Sequence, residues 1–239
     1  MVRAATAGAA RDALAALMLR AEVARKAFGG RAVIAGLHFE MAAGEIVALT
    51  GPSGCGKSTL LRIVAGLDHD FAGAVAWTAP PPRIAVAFQE PRLLPWRSVR
   101  ENLLLANASD ATAEAMLTAL GLASETDMPA DRLSLGMARR VALARALAVA
   151  PDLLLLDEPF ASLDGVAAAR ARALLLNTWA ARPFAVLLVT HDLYEAAALA
   201  DRILLLSACP ARVVRDVNVP ADMRRQDGAA TAAFAAALS

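Results

Sequence analysis

The nine residues GPSGCGKST, Gly51–Thr59, fit the spacing G-x-x-x-x-G-K-[ST] and lie between an apolar run, EIVALT, and an amphipathic stretch, KSTLLRIVAGL. A strand running into a helix through such a loop is the context in which this spacing binds phosphate. Glycines let consecutive backbone N–H groups turn toward the anion, and the positive end of the following helix adds to the attraction. On that reading Gly51, Pro52, Ser53, Gly54, Cys55 and Gly56 form the cradle. Lys57 reaches the outer phosphates, Ser58 ligates Mg2+ and Thr59 assists through its hydroxyl.

A second chemical element is the apolar strand Leu153–Leu156 ending in Asp157 and Glu158. Burial of the strand fixes both carboxylates at its end, where Asp157 holds Mg2+ and Glu158 polarises an attacking water. Gln89 closes the run RIAVAFQ and His191 closes AVLLVTH. Each is a polar residue at the tip of an apolar strand, on the edge where open α/β sheets bind ligands. Alone, either is equally a structural residue; their shared position is the signal. The stretch RLSLGMARRVALARAL begins as a turn and continues with apolar residues at helical spacing, so Ser134 is expected to cap a helix and Leu135 to occupy its first turn with negative φ.

These residues need a scaffold. LMLRAEVARKAF (Leu17–Phe28) and IAGLHFEM (Ile34–Met41) alternate as half-exposed strands, and EIVALT reads as a buried one. GAVAW and RIAVAFQ are strands separated by Pro80, Pro81 and Pro82. SVRENLLLA opens with a capping box, Ser98 with Glu101, and DATAEAMLTALGL is a helix stopped by Gly121. Strands and helices then alternate through PDLLLLDEP, VAAARARALLLNTWAA, FAVLLVTHD, LYEAAALA and RILLLS, which predicts a mainly parallel sheet flanked by helices. The expected organisation is an extension over 1–16 and one domain over 17–239. Its α/β core covers 17–90 and 150–217, opening with an antiparallel β subdomain. A helical subdomain is inserted at 91–149, and a short tail covers 218–239.

Composition narrows the class. With 24 basic and 23 acidic residues the net charge is +1, so no polyanion footprint is expected and nucleic acid is not a predicted partner. Mean hydropathy is +0.48, but much of it is alanine, and no apolar run approaches the ~18 residues of a spanning helix. Only Cys55 and Cys209 occur, the former inside the glycine loop, which fits a reducing compartment. His38 and His69 have no metal-ligand partners at useful spacing and read as surface or packing residues. Trp96 is expected to pack within the helical subdomain, with contact to a partner as the alternative.

Taken in order, Phe28, GPSGCGKST, Gln89, LSLGM, LLLLDEP, SLD (Ser162–Asp164) and His191 resemble the ATP-binding cassette (ABC) family over about Phe28 to Leu206. FQEPRLLPW and the methionine closing the signature are similar to ATPase subunits of the nitrate, sulfonate and taurine importer group. The resemblance implies a P-loop NTPase core that binds ATP and Mg2+ and hydrolyses ATP. Phe28 would stack on adenine, with a core phenylalanine as the other reading. Gln89 would touch Mg2+ and the water, and His191 the γ-phosphate. Ser134 and Gly136 would face the ATP of a second copy of the chain, and Asp164 would sit across the same seam. Partners implied are a homodimer mate, a membrane permease and, indirectly, a periplasmic or extracellular solute-binding protein, with the subunit peripheral on the cytoplasmic face of the membrane. The family pattern is most often L-S-G-G-Q, so Leu135 and Met137 depart from it. Rival expectations are a small-molecule P-loop kinase and a soluble cassette protein acting in repair or translation.

Overall fold

The computed structural model describes residues 17–78, 81–221, 223 and 228–238; the expected extension over 1–16 lies outside the described residues. In chain order the elements are β1 (Leu17–Phe28), β2 (Arg31–Ala42), β3 (Ile46–Thr50), α1 (Lys57–Val64), β4 (Ala72–Trp77), β5 (Ile84–Ala87), α2 (Val99–Leu104), α3 (Asp110–Ala119) and α4 (Leu135–Ala148). There follow β6 (Leu153–Asp157), α5 (Gly165–Ala181), β7 (Ala185–Val189), α6 (Leu193–Leu199), β8 (Arg202–Leu206), β9 (Val213–Asn218) and α7 (Ala229–Ala236). The chain divides into two compact units, one reaching Pro82 and resuming at Phe184, the other running Arg83–Pro183.

In the first unit, β1 pairs antiparallel with β2 and β4. The alternation is that of a sheet with one buried face: Leu19 lies opposite Met41, Ala21 opposite Phe39 and Val23 opposite Leu37, all of them buried. Arg20 and Glu40 face each other on the other side with an ion pair of 2.7 Å. The strand β2 starts at Arg31, three residues before the expected Ile34, because Gly29 and Gly30 (φ 55° and 83°) make a two-residue hairpin that pairs Phe28 with Arg31. The same unit holds β3 between β7 and β8, parallel to both, and every residue of β3 and β7 is buried. Helix α1 packs on β7 and α6 on β3. An antiparallel β9 borders β8, and α7 packs on α6. Neither β9 nor α7 is among the elements expected from the sequence.

In the second unit, β5 and β6 pair in parallel, with Ala87 opposite Leu156. The strand β5 ends at Ala87, so Gln89 stands two residues beyond it rather than at its tip. Helix α4 packs against β5, α2, α3 and α5. The capping box forms as expected: Ser98 Oγ accepts from Glu101 N at 3.2 Å and Glu101 Oε2 accepts from Ser98 N at 2.8 Å. The N–H of Ser98 and the guanidinium of Arg97 hold the Glu101 carboxyl below its ordinary range. Asn102, fully buried, donates to the carbonyls of Leu94 and Ser98 and accepts from Leu94 N, which fastens the loop before α2.

Candidate functional site

The first unit carries the phosphate loop. Gly51, Gly54 and Gly56 adopt φ of 156°, 72° and 113°, a path that L-residues rarely follow. Space enforces two of them: a Cβ on Gly51 would lie 2.9 Å from the carbonyl oxygen of Leu206, and one on Gly56 would lie 2.9 Å from Val33 Cγ1. Gly56 is also the residue before α1, and no side chain caps that helix and no acid sits in its first turn. A helix start without a side-chain cap, approached by a glycine loop, is a ready anion site. Lys57 is buried, and its Nζ donates to the carbonyls of Gly51 at 2.8 Å and Pro52 at 2.9 Å, which holds the ammonium inside the loop. Cys55 is buried beneath the loop, with its Sγ 4.0 Å from the same Nζ. Pro52, Ser53, Gly54 and Ser58 are exposed along the loop, and Thr59 is half-buried.

His191 belongs to the same unit. The parallel register puts Leu49 opposite Val189, so the phosphate loop after β3 and His191 after β7 leave one edge of the sheet. The histidine stands two residues past the strand, exposed, where the sequence suggested the strand tip. Asp192 then caps α6, accepting from Tyr194 N at 2.8 Å and Glu195 N at 3.2 Å. Phe28 ends β1 and is 53% exposed, which rules against the core-phenylalanine reading. His38 and His69 are exposed.

The second unit carries the acids and the signature. Asp157 closes β6 and is buried, and Glu158 follows it with φ 49°, an unusual conformation for a residue with a side chain. Because β5 and β6 run parallel in register, the segment holding Gln89 and the two carboxylates leave the same end of the strand pair. Ser134 caps α4 with its Oγ accepting from Met137 N at 3.3 Å. Leu135 is the first residue of that helix, is 54% exposed, and is not among the residues with positive φ. Gly136 faces the loop after β6: a Cβ there would meet Leu163 Cδ2 at 3.3 Å. Asp164 caps α5, accepting from Ala167 N at 2.8 Å.

Sequence reasoning passed over Arg139. Its Nε donates to the Gln89 carbonyl at 3.3 Å and its Nη1 to the Ala161 carbonyl, so one guanidinium on α4 ties together the glutamine loop and the turn between Glu158 and Asp164. An arginine three residues after Gly136, on the helix the signature opens, was the available clue. Trp96 reverses an expectation: it is 73% exposed instead of packed.

A family model described as ABC transporter matches residues 34–161. The chain belongs to the ABC transporter family. Among curated relatives, the aliphatic sulfonates import ATP-binding protein SsuB 2 of Burkholderia cenocepacia is 46% identical over 211 residues, covering 84% of this chain and 78% of that protein. The SsuB 1 protein of Streptomyces avermitilis, with the same description, is 50% identical over 207 residues, 85% and 78% of the two chains. The solved dimeric ATP-binding cassette in a post-hydrolysis state with ADP and Pi is similar at a TM-score of 0.74 and 26% identity, over 85% of this chain and 99% of that one. An inward-facing metal-chelate type ABC transporter shares the fold at a TM-score of 0.70 and 24% identity, over 85% and 84%.

Proposed function

We propose that this ABC protein is the ATP-binding and ATP-hydrolysing subunit of an importer for sulfonates or a related small solute such as nitrate or taurine, working as a homodimer beneath a membrane permease. The observation that carries the nucleotide reading is the phosphate loop, in which Gly56 leads into a helix start without a side-chain cap and Lys57 is held within the turn. Mg2+ would be held by the Ser58 hydroxyl, the Gln89 amide and the Asp157 carboxylate, oxygen donors of the kind that ion prefers. When bound it neutralises charge on the phosphates. Of the chain's own groups, Lys57 and the loop N–H groups orient the phosphates, Glu158 accepts a proton from water, and His191 donates a hydrogen bond toward the γ-phosphate. Ser134, Gly136 and Asp164 serve the nucleotide of the second protomer, and Phe28 stacks on the base.

The exposed Trp96 supports a docking role in the helical region, and the names of the relatives support import and the solute class. Among the described residues no helix is long and apolar enough to cross a membrane. In this reading the permease holds the subunit at the membrane, and a solute-binding protein would deliver the cargo. The test is MgATP hydrolysis by the purified chain beside Glu158→Gln. Turnover in the wild type and retained ATP binding without turnover in the variant are expected; equal turnover refutes the assignment of Glu158. Uptake of alkanesulfonate, taurine and nitrate by the chain reconstituted with its permease and binding protein then ranks the solutes, and stimulation by none of them overturns the importer class.

A further inference from the structure

The alternation of β1 breaks once. Opposite β4, Val23 pairs with Gly73 but Arg25 pairs with Ala72, so one extra residue, Ala24, is inserted. The bulge reverses the phase: Leu19, Ala21 and Val23 point inward, and next inward is Lys26, not Arg25. Gly73 makes the close approach feasible, because a Cβ there would lie 2.0 Å from the Glu22 carbonyl oxygen. A lysine is thereby turned into the protein, only 2% exposed.

Its ammonium is fully engaged. Lys26 Nζ donates to Asp68 Oδ1 at 2.8 Å, to the Asp70 carbonyl at 2.7 Å and to Asp70 Oδ2 at 3.3 Å. Both acids lie just after α1, the helix that starts at the phosphate loop. The remaining neighbour is an aromatic ring: Nζ sits 4.7 Å from the centroid of Phe28, two residues on along the strand. The hydrogen bond that Lys26 donates to Asp68 holds the lysine above its ordinary pKa. Phe28 is therefore a ring with a fixed positive charge against it and more than half its surface open.

We infer that Lys26 is a positioning residue for base binding: its buried ammonium fixes the Phe28 ring and withdraws π-density from it, and the ring so held receives the purine of the nucleotide. A cation against an aromatic face is attracted by the ring quadrupole, and an electron-poor ring stacks better on an electron-rich purine. The inference rests on the reading of Phe28 as the stacking residue.

The experiment compares ATP with ribose 5′-triphosphate, which keeps the phosphates and lacks the base, on wild type, Lys26→Met, Lys26→Arg and Phe28→Leu. Lys26→Met is expected to weaken ATP binding and raise KM about three- to fivefold. The value of kcat and the affinity for ribose 5′-triphosphate should hold, and Lys26→Arg should restore ATP binding. Lys26→Met also leaves Asp68 without its cation, so the double variant Lys26→Met/Asp68→Asn is measured beside it and is expected to show the same ATP-selective loss. Equal weakening of both ligands makes Lys26 merely structural and overturns the inference, as does unchanged ATP binding in a folded variant. If Phe28→Leu leaves ATP affinity intact, the stacking reading itself falls; if Phe28→Leu weakens ATP while the Lys26 variants do not, only the role of Lys26 falls.

Discussion

Replacing Leu135 with glycine restores the residue most often found at that place in the signature, and the structure allows its effect to be worked out. Leu135 opens α4 after the Ser134 cap, and it has no positive φ to relieve. Glycine therefore gains nothing from its conformational freedom and carries its entropic cost of about 0.5–1 kcal/mol. Leu135 is 54% exposed, so removing its side chain forfeits about half the burial of an apolar residue, on the order of 1 kcal/mol. Leu135→Gly is thus expected to destabilise the chain by about 1–2 kcal/mol, a fall in Tm of roughly 2–8 °C for a protein of this size.

Turnover should respond differently. The backbone N–H of residue 135 and the flanking Ser134 and Gly136 survive the change, so steady-state MgATP hydrolysis by the purified variant is expected within about threefold of wild type. A Tm measured by circular dichroism and kcat measured on the same preparation separate the two effects. A tenfold rise in kcat, equivalent to about 1.4 kcal/mol of barrier, would mean that the leucine crowds the partner's nucleotide. A rise in Tm would mean that its backbone is strained after all. Either result refutes the reasoning.

Gly56→Ala combines φ 113° with a Cβ 2.9 Å from Val33 Cγ1, and is expected to cost about 1–3 kcal/mol and to abolish ATP binding measured by equilibrium dialysis. Gly73→Ala drives a Cβ into a backbone oxygen at 2.0 Å, so the loss should exceed about 3 kcal/mol in urea unfolding. Glu101→Gln tests the capping box: the folded carboxyl titrates below its usual 4.5, so its stabilisation is present above that pH and disappears as pH falls through the folded value. The stability gap between wild type and Glu101→Gln is therefore expected to be flat near neutrality and to close in acid unfolding series begun at pH 5. Glu158→Gly removes the carboxylate and the αL backbone demand together and is expected to eliminate MgATP turnover, as Glu158→Gln is.

What the sequence displayed and what it hid divide along physical lines. Period-two alternation marked β1 from Leu17 to Phe28, and the capping box at Ser98 and the stop at Gly121 were read correctly, since each is written in neighbouring residues. The strand β9, VVRDVN, is largely exposed and acquires its conformation from pairing with β8, so its own residues carry no period. The runs ending in Gln89 and His191 read as strands to their last residues, but β5 ends at Ala87 and β7 at Val189, with Thr190 N still donating to the Leu49 carbonyl at 3.2 Å. Lys26 was hidden for a subtler reason. Strict alternation places Arg25 inward, and only a bulge permitted by Gly73, some fifty residues away, exchanges the two.

The loop from Glu158 to Asp164 gathers the least legible feature, backbone strain. Glu158 at φ 49° and Ser162 at φ 62° each occupy a region that costs a side-chain-bearing residue about 1–2 kcal/mol. Such strain persists only where the surroundings over-determine it, and here they do. Ala161 N donates to the Glu158 carbonyl, Leu163 N to the Phe160 carbonyl, and Arg139 takes the Ala161 carbonyl from α4. Phe160 is buried, and Leu163 rests against Gly136, where a larger residue would push it away. The carboxylate of Glu158 and the cap at Asp164 are thus set by one bent segment whose geometry the signature helix enforces. A change in how α4 is held would reach both acids through Arg139 and Leu163, with no need for either to move independently.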